Sequence, residues 1–458
     1  MSLSIVILAA GQGTRMKSEL PKVLHMLAGR TLLEHVYSAA LQLNFREAYI
    51  VYGYGGELVP KRLSHLQAVS WVEQKRQLGT GHAVKQAIGH VPDVDDVLIL
   101  YGDVPLITYQ TLQRLVDAAQ DSGFSLLTLK IDDPTSGYGR IVRDDEGNVT
   151  RIVEEKDAEG DETSIREINT GMMTVQARLL KRWLEDLNQD NAQGEFYLTD
   201  TIQMAVEEGI AVSSTRPDYV TEIEGVNDRV QLAEMERYYQ MAQAHHLMQQ
   251  GVAIMDPMRF DLRGYLEAGQ DVTIDINVVI EGNVSISNNV MIGPNCLIKD
   301  ADIADGVHIL SNCVIDNAVI GKACRIGPFS RIRPQTRLEE DVHIGNFVEV
   351  KNSQVQSGSK MNHLSYIGDS EVGKDVNVGA GTITCNYDGA NKHKTIIGDN
   401  VHIGSDTQLI APVTVGKDAT IAAGTTVIKD VEPNVLLRNQ LKQKVVKDWG
   451  TELRKTPE

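Results

Sequence analysis

Along the first half of the chain, short apolar runs alternate with stretches of helical composition. The runs occupy residues 4–9, 48–52, 97–101 and 125–129. Continuous apolar runs of this length are typical of strands buried on both faces, and their alternation with helices predicts a mostly parallel, Rossmann-like α/β sheet. Ligands of such sheets bind beyond the carboxyl ends of the strands, so the turns after Ala9 and Tyr101 are the first places to search for a site.

The segment from residue 228 to residue 250 contains neither Gly nor Pro and is rich in Glu, Gln, Met, Ala and Leu. These residue types favour a helix, and Gly251 follows it as a stop signal. We therefore expect a linker helix at residues 228–250, between a first domain of residues 1–227 and a second domain of residues 251–458.

In the second domain, an aliphatic residue recurs every six positions. Three series show the period: Ile274, Ile280, Ile286, Ile292 and Ile298; Ile320, Ile326, Ile332, Leu338, Ile344 and Val350; and Ile397, Ile403, Leu409, Val415, Ile421 and Val427. A period of six fits neither an amphipathic helix nor a heptad, and it predicts a parallel β-helix in which each hexapeptide forms one side and a turn. Two interruptions, at residues 351–370 and 384–395, are interpreted as loops projecting from the coil, where sites are often found.

Composition excludes several classes of protein. The 458 residues carry a net charge of −18, which argues against nucleic acids and anionic membranes as partners. No apolar run approaches the roughly 18 residues that span a bilayer. Four cysteines without a C-x-x-C pair indicate neither a disulfide framework nor structural zinc, so we expect a reduced, cytoplasmic protein. Any anionic ligand must be bound by local clusters of Lys, Arg and backbone N–H groups.

The turn after the first strand is rich in glycine. It reads LAAGQGTRM from Leu8 to Met16 and continues to Pro21 and Lys22. It is not a dinucleotide fingerprint, because Met16 stands where the third Gly would be, and it lacks the G-K-[ST] of a P-loop. It does keep the features that hold phosphates, namely close backbone approach, consecutive N–H groups and an expected helix start. Arg15 and Lys22 add two cations.

The whole run LAAGQGTRMKSELPK resembles the opening motif of the sugar-1-phosphate nucleotidyltransferases. Further matches are Gln74, LGTGH at 78–82, YGD at 101–103, GYGR at 137–140, Glu154, EINTG at 167–171 and EGVN at 224–227. With the hexapeptide half attached, nearly the whole chain is similar to the bacterial family of bifunctional N-acetylglucosamine-1-phosphate uridyltransferase/glucosamine-1-phosphate N-acetyltransferases.

This resemblance implies two reactions on one chain. The second domain, a left-handed β-helix, would acetylate glucosamine 1-phosphate with acetyl-CoA. The first domain would then transfer UMP from UTP to the product, giving pyrophosphate and UDP-N-acetylglucosamine for cell-wall and lipid A precursors. The resemblance also implies a cytoplasmic homotrimer, with each acetyl site built at a subunit boundary.

Uridyl transfer requires two anions to be positioned and their charge neutralised, and it needs no general base because the attacking phosphate is already ionised. The resemblance implies that Arg15 and Lys22 stabilise the pentavalent phosphorus and the leaving pyrophosphate, and that Asp103 and Asn227 bind Mg²⁺. It implies UDP-N-acetylglucosamine contacts at Leu8, Ala9, Ala10, Gly11, Lys22, Gln74, Gly79, Thr80, Tyr101, Gly102, Asp103, Gly139, Glu154, Asn169 and Asn227.

These residues also have plainer interpretations. Without the surrounding motifs, Asp103 would fit a turn residue after a strand, and Glu154 would fit a surface acid in a Glu-Glu-Lys run. Arg15 and Lys22 would fit a solvated helix start. Gln74 is chemically suitable for uracil, because an amide offers both a donor and an acceptor to the edge of the base.

A β-helix alone does not imply catalysis, so the acetyltransferase hypothesis rests on residues outside the hexads. His363 lies in the first interruption, and an unperturbed imidazole pKa of about 6.5 suits a general base. The resemblance implies that His363 takes a proton from the 2-amino group of the sugar. It implies glucosamine-phosphate contacts at Arg333, Lys351, Tyr366 and Asn377, and acetyl-CoA contacts at Ala380, Asn386, Tyr387, Ser405 and Ala423.

One position departs from the family. Members commonly carry an Arg near the C-terminus that contacts the phosphates of the coenzyme, where this chain has Gln440; Arg438 and Lys442 are the alternative cations. Two rival interpretations stay open at this point. One is a nucleotidyltransferase whose β-helix only regulates or oligomerises, and the other is a non-catalytic scaffold with a decayed first site.

Overall fold

The computed structural model describes residues 2–132, 137–439 and 443–447. It contains two compact units, Met1–Tyr239 and Gln240–Glu458. The division falls inside the helix Arg229–Gln249, in the segment where the sequence predicts a linker helix. Gln440 and Lys442, named above as candidate coenzyme contacts, lie outside the described residues.

The first unit is built on a nine-stranded sheet and a small two-stranded one. In chain order the strands are β1 (Ser2–Ala9), β2 (Met26–Leu27), β3 (Arg30–Thr31), β4 (Ala48–Tyr52), β5 (Val69–Glu73), β6 (Asp95–Tyr101), β7 (Phe124–Lys130), β8 (Arg140–Arg143), β9 (Val149–Val153), β10 (Glu167–Gln176) and β11 (Val212–Thr215). The main path of the large sheet runs β11-β7-β10-β6-β1-β4-β5. Only β10 runs antiparallel to its neighbours on this path, so the predicted mostly parallel sheet is confirmed.

Helices cover both faces of this sheet. They are α1 (Leu32–Ala40), α2 (Leu58–Arg62), α3 (Thr80–Ile88), α4 (Tyr109–Ser122), α5 (Ala177–Asp186) and α6 (Asp200–Glu207). The helix α7 (Arg229–Gln249) follows them and contains the boundary between the two units. Along β1, Ile5 and Ile7 pack into one apolar cluster, whereas Val6 and Leu8 pack into another. Burial on both faces explains why the strand reads as a continuous apolar run. Capping explains where α1 begins, because Thr31 and Glu34 form a capping box there.

The helix expected directly after the glycine turn is not present. A single 3-10 turn, Thr14–Met16, follows Gly13 and ends at Lys17, whose φ of 48° is left-handed. The next α-helix begins only at Leu32. A single turn aligns too few peptide dipoles to act as a helix N-terminus, so anion binding at this turn depends on its individual N–H groups and side-chain cations.

The second unit is a parallel β-helix, as the six-residue period predicts. Its eleven-stranded sheet contains Ala253–Ile254, Thr273–Ile274, Met291–Ile292, His308–Ile309, Arg325–Ile326, His343–Asn346, Lys360–His363, Asn377–Val378, His402–Ile403, Thr420–Ile421 and Leu436–Leu437. Its seventeen-stranded sheet contains Phe260–Ala268, Val278–Ile286, Leu297–Lys299, Asp302–Ile303, Val314–Asp316, Ala318–Ile320, Arg331–Ile332, Thr336–Leu338, Glu349–Lys351, Gln354–Val355, Tyr366–Gly368, Ser370–Val372, Ile383–Cys385, Thr395–Ile397, Gln408–Ile410, Val413–Val415 and Thr426–Val427.

The aliphatic positions stack inside the coil. Ile274 pairs with Ile292, and Ile326 pairs with Ile344, each three hexapeptides further along the chain. Together the inward residues form one continuous apolar core. None of the described helices in either unit is long and apolar enough to cross a membrane.

The prediction of a projecting loop at residues 351–370 is wrong. The strands of this segment continue the coil, with Val350 opposite Ile367 and Val355 opposite Val372. The coil here is one residue short of three hexapeptides, so a shortened corner shifts the sequence period while the inward positions stay in line. The second predicted loop is confirmed. Strand Ser370–Val372 pairs with Thr395–Ile397, and the inserted residues between them are closed by a bridge between Tyr387 and Lys392.

Candidate active sites

Two adjoining cavities lie at the carboxyl ends of β1 and β6. The smaller, of about 230 Å³, is lined by Leu8, Ala9, Ala10, Gly11, Lys22, Val23, Gln74, Gln77, Gly79, Thr80, Ala83, Tyr101, Asp103 and Glu195. The larger, of about 640 Å³, shares Thr80, Tyr101 and Asp103 with it. The larger cavity also contains Arg15, Gly139, Glu154, Asn169 and Asn227. The structure therefore brings the sequence-derived uridyltransferase residues together at one edge of the sheet.

Gly102 is the exception among the described residues of that set, because it lines neither cavity. Its backbone N–H donates to the carbonyl of Leu8 at 2.9 Å. A Cβ at this position would lie only 3.2–3.3 Å from Leu33, Ala9 and Val23. Gly102 thus packs between the ends of two strands and allows the neighbouring Asp103 to face the cavity.

A cation already lies between the two expected metal ligands. The Nζ of Lys22 contacts Oδ2 of Asp103 and lies 3.1 Å from Oδ1 of Asn227. The segments are held together by the N–H of Val226, which donates to the carbonyl of Asp103 at 2.9 Å. One carboxylate oxygen and one amide oxygen thus converge on one point of positive charge. That donor set fits a hard divalent cation that takes its remaining ligands from phosphate and water.

The described residues contain no group of three or more His, Cys, Asp or Glu side chains suited to a metal ion. A site with only two protein ligands is consistent with that result, because ions bound together with nucleotides rely on phosphate oxygens.

One side of the larger cavity contains a partly buried acid, Glu154, close to the carboxyl groups of Asp157 and Asp200. Glu154 accepts a hydrogen bond from Oγ1 of Thr199 at 2.9 Å, and burial raises the pKa of its carboxyl above the ordinary value. Burial also raises the pKa of Tyr101. Asn169 accepts the N–H of Gly171 at 3.1 Å. Glu154 is therefore not the surface acid that its sequence neighbourhood would fit. Thr199 has no motif in the sequence, and only its tertiary contact identifies it.

On the β-helix, His363 lies at the end of a strand and faces solvent. A cavity of about 440 Å³ beside it is lined by Leu310, Arg325, Gly327, Pro328, His343, Ile344, Gly345, Asn346, Asn362 and His363. His363 is paired across the sheet with Asn346 of the preceding coil. The site is therefore formed on a regular part of the coil, at a corner.

Small residues continue from His363 along the same corner of the coil. The N–H of Gly381 donates to the carbonyl of Leu364, and the N–H of Asp406 donates to the carbonyl of Ala380 at 2.7 Å. The next coil repeats the pattern, since the N–H of Gly424 donates to the carbonyl of Ser405. Ala380, Ser405 and Ala423 thus stack on successive coils, which leaves room along the surface for an extended ligand.

Asp369 contacts several of the other expected residues. Its carboxylate accepts from Nδ2 of Asn352 at 2.5 Å and from Nδ2 of Asn386, and it lies 3.5 Å from Nζ of Lys351. Asn386 also lies 3.4 Å from the hydroxyl of Tyr366. Burial raises the pKa of Asp369, but the two amide hydrogen bonds and Lys351 outweigh it and hold the pKa below its ordinary value. The carboxylate is therefore ionised at neutral pH.

Two of the expected sugar-phosphate contacts lie outside that cluster. Arg333 donates to Oε1 of Glu349 at 2.7 Å, one coil before Lys351. Asn377 is on the eleven-stranded sheet, opposite Lys360 of the His363 strand. Tyr387 is exposed in the inserted loop. No sequence motif marks Asp369, because only the register of the coils brings it against Lys351 and Asn386.

An apolar ladder is exposed beside the His363 corner, and we call Phe329, Phe347 and Leu364 the corner ladder. The two Phe rings stack with centroids 5.3 Å apart. All three residues have left-handed φ angles, of 56°, 58° and 47°. Such angles are uncommon for bulky residues, and the preceding corners in the same column use Asn295 and Asn312 instead. Three successive coils therefore expose large apolar side chains at positions that favour polar residues.

Comparisons with known proteins match both halves of the chain. Residues 5–193 match the MobA-like NTP transferase domain, residues 264–346 match the GMPPB C-terminal domain, and residues 394–429 match the bacterial transferase hexapeptide family (six repeats). A relative from Methylococcus capsulatus, the Bifunctional protein GlmU, is 56% identical over 450 residues, which is 98% of this chain and 97% of the relative.

Two solved structures align with about half of the chain. One is a UDP-glucose pyrophosphorylase complexed with UDP-glucose, with 16% identity, 52% of this chain and 98% of that chain covered, and a TM-score of 0.43. The other is a nucleotidyl transferase from Methanothermobacter thermautotroptrophicus, with 19% identity, 55% and 99% coverage, and a TM-score of 0.38. At these scores neither structure supports a conclusion about this chain.

Proposed function

This chain belongs to the family of the bifunctional GlmU proteins, and from that membership we propose how its two sites divide the chemistry. The chain is an enzyme with two activities. It acetylates glucosamine 1-phosphate with acetyl-CoA, and it transfers UMP from UTP to N-acetylglucosamine 1-phosphate, giving pyrophosphate and UDP-N-acetylglucosamine. The product supplies peptidoglycan and lipopolysaccharide synthesis, and we place the enzyme in the cytoplasm.

We assign uridyl transfer to the cavities at the ends of β1 and β6. A phosphate oxygen of the sugar forms a bond to the α-phosphorus of UTP while the bond to the β-phosphate oxygen breaks and pyrophosphate leaves. Arg15 and Lys22 neutralise the charge on these phosphates. The convergence of Lys22, Asp103 and Asn227 is the observation that carries this assignment.

The family generally uses a divalent metal, and we propose Mg²⁺ with Asp103 and Asn227 as its protein ligands. When bound, the ion would supply charge neutralisation on the phosphates. Asp103 and Asn227 are already oriented for that task by the hydrogen bond from Val226 and by the contact with Lys22. Gln74, Gly79 and Thr80 would surround the uracil nucleotide in the smaller cavity. Glu154 and Asn169 would face the sugar in the larger one.

We assign acetyl transfer to the corner of the β-helix at His363. The imidazole takes a proton from the 2-amino group as the nitrogen attacks the thioester carbonyl, and coenzyme A leaves as the carbon–sulfur bond breaks. Arg333 and Lys351 bind the sugar phosphate as cations, with Tyr366 and Asn377 nearby. The stack of Ala380, Ser405 and Ala423 gives the pantetheine arm its path, and Asn386 and Tyr387 close the site.

One assay tests both assignments. Glucosamine 1-phosphate, acetyl-CoA, UTP and Mg²⁺ are supplied together, and each component is omitted in turn. Omission of acetyl-CoA should stop formation of UDP-N-acetylglucosamine unless N-acetylglucosamine 1-phosphate is added, because the acetylated sugar is the substrate of the second reaction. Formation of UDP-glucosamine and pyrophosphate when acetyl-CoA is omitted would contradict the proposed order.

We propose that three copies assemble through the β-helices, with the corner ladder in the contact. Its exposed rings adjoin the His363 corner, so a neighbouring chain that covers them would also complete the acetyl site. Phe347→Asp should yield monomers in sedimentation velocity and lower acetyl transfer by at least about tenfold, because a charge would be buried in an apolar contact. Uridyl transfer should not change.

The control for this variant is Val94→Asp, which places the same charge at an exposed apolar residue of the first unit. It should leave assembly and both activities unchanged. If the Phe347→Asp protein remains trimeric, the corner ladder is not part of the interface.

Asp369→Asn should raise the KM for glucosamine 1-phosphate and lower kcat/KM for acetylation by about tenfold or more, in line with the loss of a charge-assisted hydrogen-bond partner. The new Asn side chain carries no negative charge beside Lys351, and its NH₂ group can place a donor where Asn386 needs an acceptor. Steady-state acetyl transfer measures the effect. Asp375→Asn is the matched control. Like Asp369, Asp375 has a left-handed φ, which is 54°, but its side chain is exposed. Equal kinetics for both variants would refute a positioning role for Asp369.

A further inference from the structure

The amide of Gln74 is held in one orientation by a neighbouring histidine. Gln74 is only 3% exposed, and it lines the smaller uridyltransferase cavity. Its Nε2 donates to Nδ1 of His82 at 2.9 Å and lies 3.4 Å from the carbonyl oxygen of Gly79. Both hydrogens of the amide nitrogen therefore have acceptors within the described structure. The atom of the amide left for a ligand is the carbonyl oxygen, Oε1.

His82 is suited to act as that acceptor. It lies in the first turn of α3, and its ring packs almost parallel to that of Phe196, with centroids 6.2 Å apart. Burial, followed by the charge of Lys85, lowers the pKa of His82 below its ordinary value. A neutral imidazole with its hydrogen on Nε2 presents a lone pair on Nδ1. Nε2 of Gln86 donates to the backbone carbonyl of His82 at 3.2 Å, so it has an acceptor without the ring Nε2, which lies 3.3 Å away.

We propose that His82 is a positioning residue that makes this site select uracil over cytosine, by holding the Gln74 amide with its carbonyl oxygen towards the base. The inference rests on the proposed function, in which Gln74 faces the nucleobase. Uracil carries a hydrogen on N3, whereas cytosine presents a lone pair there. A fixed carbonyl oxygen attracts the N3–H of uracil and repels the N3 lone pair of cytosine.

The selectivity follows from the fixed orientation. A freely rotating amide can present either its oxygen or its NH₂ group, and the NH₂ group would donate to N3 of cytosine. Sites built to hydrogen-bond a particular group reject analogues that lack it by about 10⁴-fold or more. That discrimination requires that rotation of the Gln74 amide costs free energy. The hydrogen bond to His82 sets this cost, because rotation would break it.

The test compares the full-length wild-type enzyme with His82→Leu and His82→Asn. For each protein, kcat/KM is measured for UTP and for CTP with N-acetylglucosamine 1-phosphate as the second substrate. His82→Leu keeps an apolar contact with Phe196 but removes the acceptor, and it should lower the UTP/CTP ratio at least about tenfold, the equivalent of one neutral hydrogen bond. In His82→Asn, Oδ1 takes the place of Nδ1, and the ratio should return towards the wild-type value.

Two further measurements separate positioning from folding. Acetyl transfer by the same preparations should be unchanged, since that site lies in the other unit. Gln74→Leu and the double variant should show the same UTP/CTP ratio, because His82 acts only through Gln74.

A His82→Leu enzyme with the wild-type ratio would overturn the inference, and so would a failure of His82→Asn to restore the ratio. These outcomes differ from failure of the proposed function, in which the wild-type enzyme would not use UTP at all.

Discussion

Replacement of His363 by alanine is expected to lower acetyl transfer from acetyl-CoA to glucosamine 1-phosphate by about 10²- to 10⁴-fold, the usual contribution of a general base. The nitrogen of the neutral amine becomes positively charged as it attacks the thioester, and a base must take its proton for the amide to form. Imidazole is the side chain best matched to that task near neutral pH. Release of coenzyme A as a free thiol measures the reaction, with both substrates saturating.

The His363→Ala enzyme should transfer uridyl groups at the wild-type rate, because the uridyltransferase residues belong to the other unit. His308→Ala provides the control, since His308 is an exposed histidine on an earlier strand of the same sheet. His343 lines the same cavity as His363 and is the alternative base. Retained acetylation in His363→Ala together with its loss in His343→Ala would move the assignment to His343.

Asp103→Ala is expected to lower pyrophosphate release from UTP at least about 10²-fold, the loss typical of removing one preorganised group that stabilises developing charge. The change removes one of the two proposed metal ligands, and it also removes the carboxylate that contacts Lys22. Asp103→Asn keeps an oxygen ligand without its charge, and it should retain more activity at high Mg²⁺ concentration. Titration of the rate with Mg²⁺ distinguishes the two variants.

Acetylation by the Asp103 variants should be unchanged, which serves as the control for folding of the full chain. Asp117→Ala removes an exposed carboxylate from the surface of α4 and should leave both activities intact. Normal Mg²⁺-dependent pyrophosphate release by Asp103→Ala would refute the metal assignment.

Contacts between polar side chains were the part of the sites that the sequence pattern did not predict. His82 is eight residues from Gln74, and Thr199 is 45 residues from Glu154. Asp369 meets Asn386 across one turn of the coil. His82 ends the LGTGH motif, but no period or motif states which side chains meet, because contacts depend on strand register and on where loops fold back. The sequence also assigned His363 to a projecting loop, because a corner that is one residue short shifts the six-residue period.

The amino-acid sequence by itself determined the two architectures, because the order of buried and exposed positions along the chain appears directly as a pattern of apolar and polar residues. Apolar runs between helical stretches are buried in a covered parallel sheet, and the aliphatic residue at every sixth position is buried inside a β-helix. Motifs in the first unit also identified the residues that meet at the ends of β1 and β6. The tertiary structure alone decided which polar groups orient them, such as His82 on Gln74 and Asp369 on Lys351. The physical reason is that the geometry of a hydrogen bond is fixed by the packing of whole elements, whereas the hydrophobic pattern is fixed residue by residue.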